Sequence, residues 1–343
     1  MLAAYLPGGS RVDLREVPEP APEWGQVRIA MRASTICGSD LRAIYREHLG
    51  SGPEAYQGVI GGHEPAGRVE SVGPGVERIK PGDRVVVYHI SGCGQCDECR
   101  KGYQISCLTP QRAAYGWQRD GGHAQFLIAD ERDCLVLPDR LSFVDAACVA
   151  CGFGTAYEAL CRVDVSGQDA LLVTGLGPVG LAVGMLARKL GAHQIVGVDT
   201  SPERRDLALE LGAVDAAVEP GSSKLSELLP DGADVGIDCS GSGAGQAATI
   251  GLTRAWGRVA LVGEGGVLDG LDVSAAIIHK QLTIHGSWVT STRRMAELLR
   301  LLDVWGLHPE QVVTERFPLE RAAEAYAAAD QATRGKVAIV WDD

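Results

Sequence analysis

The spacing of hydrophobic residues along the chain changes near residue 150. Before that point, short runs of β-forming residues alternate with turn signals such as Pro74-Gly75 and Pro81-Gly82. The strands predicted there are 27–33, 67–72, 83–88 and 123–128. Closely spaced strands with turns between them predict a small, barrel-like all-β domain.

After residue 165 the pattern becomes strand, helix, strand, helix, which is typical of a parallel, doubly wound sheet. The predicted strands are 170–174, 194–198, 233–238 and 258–262, and the predicted helices are 178–190 and 202–211. Beyond residue 292 we expect two more helices, 293–305 and 319–329, and a closing strand, 336–341. A tail of this kind is expected to return and complete the first domain.

A glycine-rich turn joins strand 170–174 to helix 178–190. It matches G-x-G-x-x-G in the strand–turn–helix context that a dinucleotide-binding fold requires. Its residues are Gly175, Leu176, Gly177, Pro178, Val179 and Gly180. The helix amino terminus that follows presents N–H groups and a positive dipole end to a pyrophosphate. The turn therefore predicts a bound dinucleotide.

Asp199 ends the next predicted strand, 19 residues after Gly180, where such folds carry the acid that binds ribose hydroxyls. A carboxylate at this position repels a 2′-phosphate, which favours NAD over NADP. Arg204 in the following helix has two open roles: stacking on the adenine ring or contacting a 2′-phosphate.

Four cysteines in the first half have the spacing C-x2-C-x2-C-x7-C. They are Cys93, Cys96, Cys99 and Cys107. Four thiolates enclose a tetrahedral zinc ion and leave no open position, which predicts a structural role. Ferredoxin-type clusters have a last gap of three followed by proline, whereas here the gap is seven and Leu108 follows. Zinc is therefore favoured over an iron–sulfur cluster.

Three other segments are individually weak: Cys37-Gly38-Ser39-Asp40, Gly61-Gly62-His63-Glu64 and Cys151-Gly152-Phe153-Gly154-Thr155. Together with the motifs above, and with Val262-Gly263 and Gly286-Ser287, they make the sequence resemble the zinc-dependent medium-chain dehydrogenase/reductase family. This family includes alcohol, sorbitol and threonine dehydrogenases. The resemblance covers essentially the whole chain.

The resemblance implies an α/β protein with a GroES-like β-barrel catalytic domain and a Rossmann domain. The catalytic domain is expected at residues 1–150 and 290–343, with a structural zinc lobe at about 90–110, and the Rossmann domain at 151–289. The active site is expected in the cleft between them. Homodimers or homotetramers are also implied, with subunits pairing near residues 282–288.

By the same resemblance, a catalytic zinc is held by Cys37, His63 and Cys151, which gives two zinc ions per chain. Glu64 is then an alternative ligand, and Asp40 orients the imidazole of His63. Polyol and threonine dehydrogenases typically carry a carboxylate at the third ligand position. The cysteine found here is more like the alcohol dehydrogenase branch.

Three protein ligands leave zinc one open position, where an alcohol becomes more acidic and binds as a zinc-bound alkoxide. In this family Ser39 is the relay residue that takes the proton, and the substrate carbon gives a hydride to the nicotinamide. The expected contacts of the nicotinamide end are Thr155, Cys239, Val262 and Ser287. The expected substrate is a small-molecule secondary alcohol, polyol or sugar derivative, closed over by loops 45–56 and 113–118.

Arg42 departs from the family pattern, because many relatives have a relay histidine three residues after the serine. An arginine stays protonated and is a poor relay base. Two interpretations stay open. Arg42 contacts a cofactor phosphate or solvent, or it faces a polyhydroxylated or anionic substrate.

Composition narrows the picture further. The formal net charge of −12 argues against nucleic acid or an anionic membrane as a partner, since both need a basic surface. The first 20 residues lack the apolar core of a signal peptide, and the apolar stretch 170–192 is interrupted by glycines and charges. We therefore expect a cytoplasmic protein with reduced thiols.

The remaining cysteines are expected to be small buried hydrophobes: Cys134, Cys148, Cys161 and Cys239. His48, His89, His123 and His285 are expected to be structural or on the surface, with His89 and Trp117 candidates for the pocket border.

Three alternative functions stay open. They are a zinc-free reductase on the same fold, a non-catalytic or redox-sensing nucleotide-binding protein, and a threonine-type amino-alcohol dehydrogenase. The presence of Cys37, His63 and Cys151 argues against the first, and Ser39 with these ligands argues against the second.

Overall fold

The chain divides into two units, and the first unit is built from both ends of the chain. In this computed structural model, which describes residues 1–331 and 334–342, unit 1 comprises Met1–Gly154 and Thr290–Asp343. Unit 2 comprises Thr155–Val289.

The strands in the described residues are numbered in chain order. They are β1 (Leu2–Tyr5), β2 (Asp13–Glu16), β3 (Gln26–Thr35), β4 (Pro65–Val72), β5 (Arg84–Val87), β6 (Ile90–Ser91), β7 (Ala113–Ala114), β8 (Phe126–Asp130), β9 (Cys134–Val136), β10 (Ala170–Thr174), β11 (Gln194–Val198), β12 (Ala216–Val218), β13 (Ala233–Asp238), β14 (Thr253–Leu261), β15 (Thr283–Gly286), β16 (Val313–Phe317) and β17 (Lys336–Val340).

The α-helices are numbered in the same way. They are α1 (Gly38–Asp40), α2 (Asp97–Arg100), α3 (Phe143–Cys148), α4 (Gly154–Arg162), α5 (Pro178–Leu190), α6 (Pro202–Glu210), α7 (Lys224–Leu228), α8 (Gly243–Leu252), α9 (Thr292–Trp305) and α10 (Ala322–Asp330). π-Helical turns span Leu41–Tyr45, Val149–Phe153 and Ser274–Ile278.

The main sheet of unit 1 has the strand order β16-β17-β3-β4-β5-β9, with β8 also paired to β3. All of its pairs are antiparallel except β16 with β17. On β3 the side chains of Val27, Ile29 and Met31 are buried and alternate with half-buried neighbours, as a strand with one core face requires. Gly67 lets β4 approach β3, because a Cβ there would lie 2.3 Å from the carbonyl oxygen of Ala30.

The sheet of unit 2 has the order β12-β11-β10-β13-β14-β15, and every pair is parallel. The central strand β10 is buried along its whole length, as expected for a sheet covered on both faces. α5 packs on β10 and β11, and α8 packs on β10, β13 and β14. The prediction of a doubly wound parallel sheet is confirmed.

Three predicted elements begin at least three residues away from their observed first residue. β8 covers Phe126–Asp130 rather than 123–128, because His123 instead donates its backbone N–H to Gly61 and accepts that of Ala4. β14 begins at Thr253, before a register shift, and not at residue 258. α10 begins at Ala322 because Leu319–Arg321 forms a 3₁₀ turn, in which the N–H of Arg321 binds the carbonyl of Pro318.

Within the described residues, one helical stretch, Phe143–Arg162, is long and apolar enough to cross a membrane, judged by length and composition. Most of it, 89%, is buried inside the protein. Core helices of soluble proteins pass the same test.

Candidate metal and cofactor sites

Two groups of potential metal ligands lie in the part of unit 1 that the structure describes. We call the first group the Cys37 cluster; it contains Cys37, His63, Glu64 and Cys151. Each of these residues offers one donor atom, and the four donor atoms lie within 4.8 Å of one another. The second group meets the same distance limit and is called the Cys93 cluster; it contains Cys93, Cys96, Cys99 and Cys107. The structure thus assembles the two ligand sets that the sequence predicted.

The Cys37 cluster is drawn from three separate parts of the chain. Cys37 lies between β3 and α1, His63 and Glu64 immediately precede β4, and Cys151 lies in the π-helical turn Val149–Phe153. The Sγ atoms of Cys37 and Cys151 are 4.0 Å apart. In a tetrahedral site with Zn–S bonds of about 2.3 Å, two sulfurs are about 3.8 Å apart, so the pair fits zinc.

Asp40 fixes the orientation of His63. It is fully buried, and its Oδ1 lies 2.7 Å from Nδ1 of His63 while its Oδ2 accepts the backbone N–H of Cys37 at 3.0 Å. A carboxylate only accepts hydrogen bonds, so Nδ1 of His63 carries a proton and Nε2 keeps its lone pair for a metal. Burial opposes the charged form of His63, but Asp40 and Cys37 together outweigh burial and raise the pKa of His63.

The two sulfurs of the Cys37 cluster interact with each other through a hydrogen bond. A hydrogen bond from Cys151 lowers the pKa of the Cys37 thiol, and the same bond, together with burial, raises the pKa of Cys151. One proton therefore serves both sulfurs. A metal ion bound by both sulfurs would require both thiols to lose their protons, because the thiolate is the form of cysteine that binds metals.

Glu64 is held by a lysine that the sequence analysis did not identify. Nζ of Lys336 lies 2.7 Å from Oε2 and 3.1 Å from Oε1 of Glu64, and Thr35 donates its hydroxyl to Oε2. Both charged residues are buried. Burial raises the pKa of Glu64 and Lys336 opposes that rise, whereas the carboxylate raises the pKa of Lys336 despite burial. Glu64 thus lies close to the other ligands and is at the same time paired with Lys336 on β17.

The Cys93 cluster is organised by its own backbone. Sγ of Cys93 accepts the N–H groups of Gln95 and Cys96 at 3.4 and 3.3 Å, and these bonds lower the pKa of Cys93 to about 6. Sγ of Cys107 accepts the N–H of Cys93 at 3.4 Å. The Sγ atoms of Cys93 and Cys99 are 3.9 Å apart, close to the edge of a zinc–sulfur tetrahedron of about 3.8 Å.

Contacts tie the Cys93 cluster to the rest of unit 1. The carbonyl of Gly102 accepts the N–H of Thr292 at 3.0 Å, at the start of α9. A Cβ on Gly92 would lie 2.6 Å from Sγ of Cys99, so only glycine fits there. Arg132 reaches the carbonyl of Cys93 at 3.4 Å.

The glycine-rich turn of unit 2 has the geometry that its sequence predicts. Gly175 has a positive φ of 89°, and a Cβ on Gly180 would lie 1.8 Å from the carbonyl oxygen of Gly175. Gly177 caps α5, with Pro178 in its first turn and Val179 next. Asp199 is buried and joins two loops, because its carboxylate accepts the N–H of Leu176 at 2.6 Å and that of Ser201 at 2.8 Å.

The other predicted cofactor contacts lie at the same edge of the sheet in unit 2. Cys239, Val262 and Ser287 directly follow β13, β14 and β15, at the carboxyl ends where such sheets bind ligands. The hydroxyl oxygen of Ser287 is buried without a hydrogen-bond partner. Nε of Arg204 is also buried and unpaired, and its Nη1 lies 3.9 Å from the position of a Cβ on Gly177. Thr155 is half-buried in α4.

Ser39 and Arg42 lie on the short helical segment after Cys37, and both are half-buried. The prediction for the remaining cysteines was partly wrong, because Cys134 and Cys148 are buried whereas Cys161 and Cys239 are only half-buried. All ten cysteines carry free thiols.

Four other histidines, which the sequence predicted to be structural or on the surface, occupy different environments. His89 is buried beside His63, with the two ring centroids 5.2 Å apart, and burial together with His63 lowers its pKa to about 4. His123 is fully buried, and a Cβ on Gly62 would lie 2.4 Å from its ring. His48 is exposed, and His285 is half-buried on β15.

Comparison with known proteins places these features in a family. Residues 23–139 match the model of the alcohol dehydrogenase GroES-like domain, and residues 178–303 match that of the zinc-binding dehydrogenase domain. The uncharacterized zinc-type alcohol dehydrogenase-like protein YphC of Escherichia coli strain K12 is 50% identical over 351 aligned residues, covering 100% of this chain and 99% of its own.

Two further proteins are less similar to this chain in sequence. An L-threonine 3-dehydrogenase of Anaeromyxobacter sp. strain K is 32% identical over 94% of this chain and 93% of its own. The crystal structure of 2R,3R-butanediol dehydrogenase from Bacillus subtilis superposes with a TM-score of 0.87 at 27% identity, covering 99% of each chain.

Proposed function

The chain belongs to the zinc-dependent alcohol dehydrogenase family, and from this premise we propose that it oxidises a secondary alcohol or polyol with NAD as hydride acceptor. Members of this family are oxidoreductases that combine zinc with NAD or NADP. The observation that carries the proposal is the Cys37 cluster, in which two cysteines and a buried, oriented histidine converge as the open zinc site of such enzymes requires.

Cys37, His63 and Cys151 would hold the catalytic zinc, and the Cys93 cluster would hold a structural zinc. Bound at the first site, zinc supplies Lewis acidity toward the oxygen of an alcohol. Asp40 keeps Nε2 of His63 available, as its hydrogen bond to Nδ1 requires. Glu64 is proposed as an alternative ligand whose approach is limited by Lys336.

Ser39 is proposed to move the proton. A hydroxyl both accepts and donates hydrogen bonds, so Oγ of Ser39 takes the proton of the substrate hydroxyl and passes one on. Bound NAD would supply the hydride acceptor. The alcohol would then lose one hydride to the cofactor and one proton, through Ser39, to solvent, and would become a carbonyl compound.

We propose NAD rather than NADP because of Asp199. Its carboxylate is held in place by Leu176 and Ser201, at the end of the strand that follows the glycine-rich turn. A fixed negative charge there repels a 2′-phosphate and accepts hydrogen bonds from ribose hydroxyls. The guanidinium of Arg204, beside Gly177, is proposed to cover the adenosine end of the cofactor.

A homodimer or homotetramer is proposed from the sheet of unit 2. The sheet ends at β15, and an edge strand exposes unpaired backbone groups that a second copy can satisfy. Exposed apolar side chains lie nearby in the chain on Ile278 and Trp288. Light scattering of the purified protein measures the assembly. We also propose a cytoplasmic location, where the ten free thiols stay reduced.

Zinc analysis and a substrate screen test the proposed function. We expect about two zinc ions per chain and oxidation of secondary alcohols or polyols in the presence of NAD, with NADP run in parallel. Cys37→Ala is expected to abolish turnover while NADH binding, measured by fluorescence, persists. A wild-type protein with two zinc ions that reduces neither cofactor with any alcohol would refute an enzymatic role and favour a nucleotide-binding or sensing protein.

A further inference from the structure

His89 lies beside the Cys37 cluster without belonging to it. It precedes β6, is 5% exposed, and its ring centroid is 5.2 Å from that of His63. The donor atoms that converge within 4.8 Å in this cluster come from Cys37, His63, Glu64 and Cys151, and none comes from His89. The imidazole is therefore a neighbour of the ligands with a chemistry of its own.

One nitrogen of this imidazole is fixed by the backbone. Nδ1 of His89 lies 2.8 Å from the carbonyl oxygen of Ala150, the residue before Cys151. A carbonyl oxygen only accepts, so Nδ1 carries the proton and donates it, and Nε2 of the neutral ring is an acceptor. The backbone of His89 is fixed as well, since its carbonyl accepts the N–H of Tyr115 at 2.9 Å.

The other nitrogen has no partner in the described part of the chain. Nε2 of His123 is enclosed and unpaired, whereas Nε2 of His89 keeps contact with solvent on the small exposed part of its side chain. When a substrate displaces the solvent at this nitrogen, Nε2 needs a new donor, because a buried acceptor without a donor costs free energy. The geometry leaves one lone pair open beside the ligands of the proposed catalytic zinc.

We propose that Nε2 of His89 accepts a hydrogen bond from a second hydroxyl of the substrate, on the carbon next to the one that is oxidised. The inference rests on the proposed function and narrows it to vicinal diols and the polyols that contain them. The two oxygens of a vicinal diol are separated by one carbon–carbon bond, so one can face the metal ligands while the other faces the neighbouring imidazole. A simple secondary alcohol would leave Nε2 unpaired, and a site that leaves a buried acceptor unpaired discriminates against that substrate.

An ammonium group is also a hydrogen-bond donor, so an amino alcohol offers the same kind of contact from a different substrate class. Three matched substrates separate the cases: butane-2,3-diol, butan-2-ol and 3-aminobutan-2-ol. We expect wild-type kcat/KM to be at least about tenfold higher for the diol than for butan-2-ol, the effect of one hydrogen bond in a buried site. A preference for the amino alcohol over the diol would overturn the assignment to a hydroxyl.

Two substitutions distinguish the contribution of Nδ1 of His89 from that of Nε2. His89→Asn keeps a donor near the position of Nδ1 for Ala150 and removes Nε2. His89→Gln places an amide oxygen near the position of Nε2 and gives up the bond to Ala150. We expect His89→Asn to lower the ratio of kcat/KM for the diol over butan-2-ol by about tenfold, mainly through KM, and His89→Gln to retain most of this ratio.

Zinc content is measured on each variant, so that a loss of metal is not mistaken for a loss of recognition. If His89→Asn keeps its zinc and lowers kcat/KM for both alcohols by the same factor, His89 has only a structural role and the inference is wrong. If the wild-type protein oxidises butan-2-ol as well as the diol, the inference fails while the proposed function stands. If it oxidises no secondary alcohol or polyol, both fail.

Discussion

Lys336 and Glu64 form a buried ion pair, with Nζ of Lys336 2.7 Å from Oε2 of Glu64, although 272 positions separate them in the chain. The pair joins the last strand of unit 1 to the segment that carries His63. Thr35 on β3 donates to the same carboxylate. The C-terminal tail therefore contributes directly to the surroundings of the Cys37 cluster.

Lys336→Met is predicted to destabilise the protein by about 3–5 kcal/mol, because it leaves a buried carboxylate without its cation. The free energy of unfolding is measured with urea on the zinc-loaded protein. Lys80→Met is the matched control, since Lys80 pairs with Asp83 at the surface with 82% of its side chain exposed, where a pair contributes at most about 1 kcal/mol. Equal urea midpoints for the two variants would contradict the prediction.

Asp40→Asn is predicted to weaken zinc binding at the Cys37 cluster by about 10–100-fold. Asp40 accepts from both the Cys37 backbone and Nδ1 of His63, whereas an amide has one oxygen and can serve only one of them. Zinc retention is measured by competition with a chelator. Asp139→Asn, an exposed change of the same kind, should retain both zinc ions. Identical chelator curves for the two variants would refute a role for Asp40 in holding His63.

The fold was predictable wherever its determinants are local. The glycine-rich turn, the continuous apolar strand and Pro178 are neighbours in sequence, and β10 and α5 have the predicted bounds. The start of β8 was predicted wrongly because it depends on tertiary contacts, namely the hydrogen bonds of His123 to Gly61 and Ala4. Such pairing leaves no periodic signal in the residues themselves.

The same distinction applies to the sites. The spacing of the Cys93 cluster is contained within one short segment, so the sequence alone proposes it. Lys336 is different, because a single lysine at the start of an apolar strand usually places its charge in water. Its partner Glu64 becomes evident only when β17 is paired with β3, which happens at Ala338 and Thr35. The interaction of Nδ1 of His89 with Ala150 is equally invisible in sequence.

Cys107→Ser is predicted to reduce the zinc content from about two ions per chain to about one and to lower the melting temperature. Removing one of four thiolates opens a closed site, and the segment around it relies on the metal for its folding. Cys134→Ser is the control, because Cys134 is buried but lies outside both clusters, so it should keep two zinc ions. Equal zinc contents in both variants would exclude a metal at the Cys93 cluster.

Asp199→Asn is predicted to raise the ratio of kcat/KM for NADP over NAD by about tenfold or more, which corresponds to about 1.4 kcal/mol. The substitution removes a fixed negative charge and one of the acceptors that hold Leu176 and Ser201. Asp206→Asn removes the same charge from an exposed position on α6 and should leave the ratio unchanged. A similar shift in both variants would show a general effect of net charge and no specific role for Asp199.

The hydrogen bond between His308 and Asp145 predicts a small pH dependence of the stability of unit 1. Its Nδ1 lies 2.9 Å from Oδ2 of Asp145, whose carboxylate also accepts the N–H groups of Ser142 and Glu310 at 2.9 Å. The hydrogen bond to Asp145 raises the pKa of His308 above its ordinary value. The protonated ring therefore stabilises the folded state fully below the unfolded pKa of about 6.5, and this contribution is lost as the pH rises through the folded pKa.

His308→Ala should accordingly cost more stability at about pH 6 than at about pH 8.5. Because the side chain is 38% exposed, solvent screening limits the difference to about 0.5 kcal/mol. The unfolding free energies of wild type and variant are compared at both pH values and again in about 1 M NaCl, where screening should reduce the difference. A cost that is independent of pH, or larger at the higher pH, would show that His308 and Asp145 interact without a charge on the imidazole.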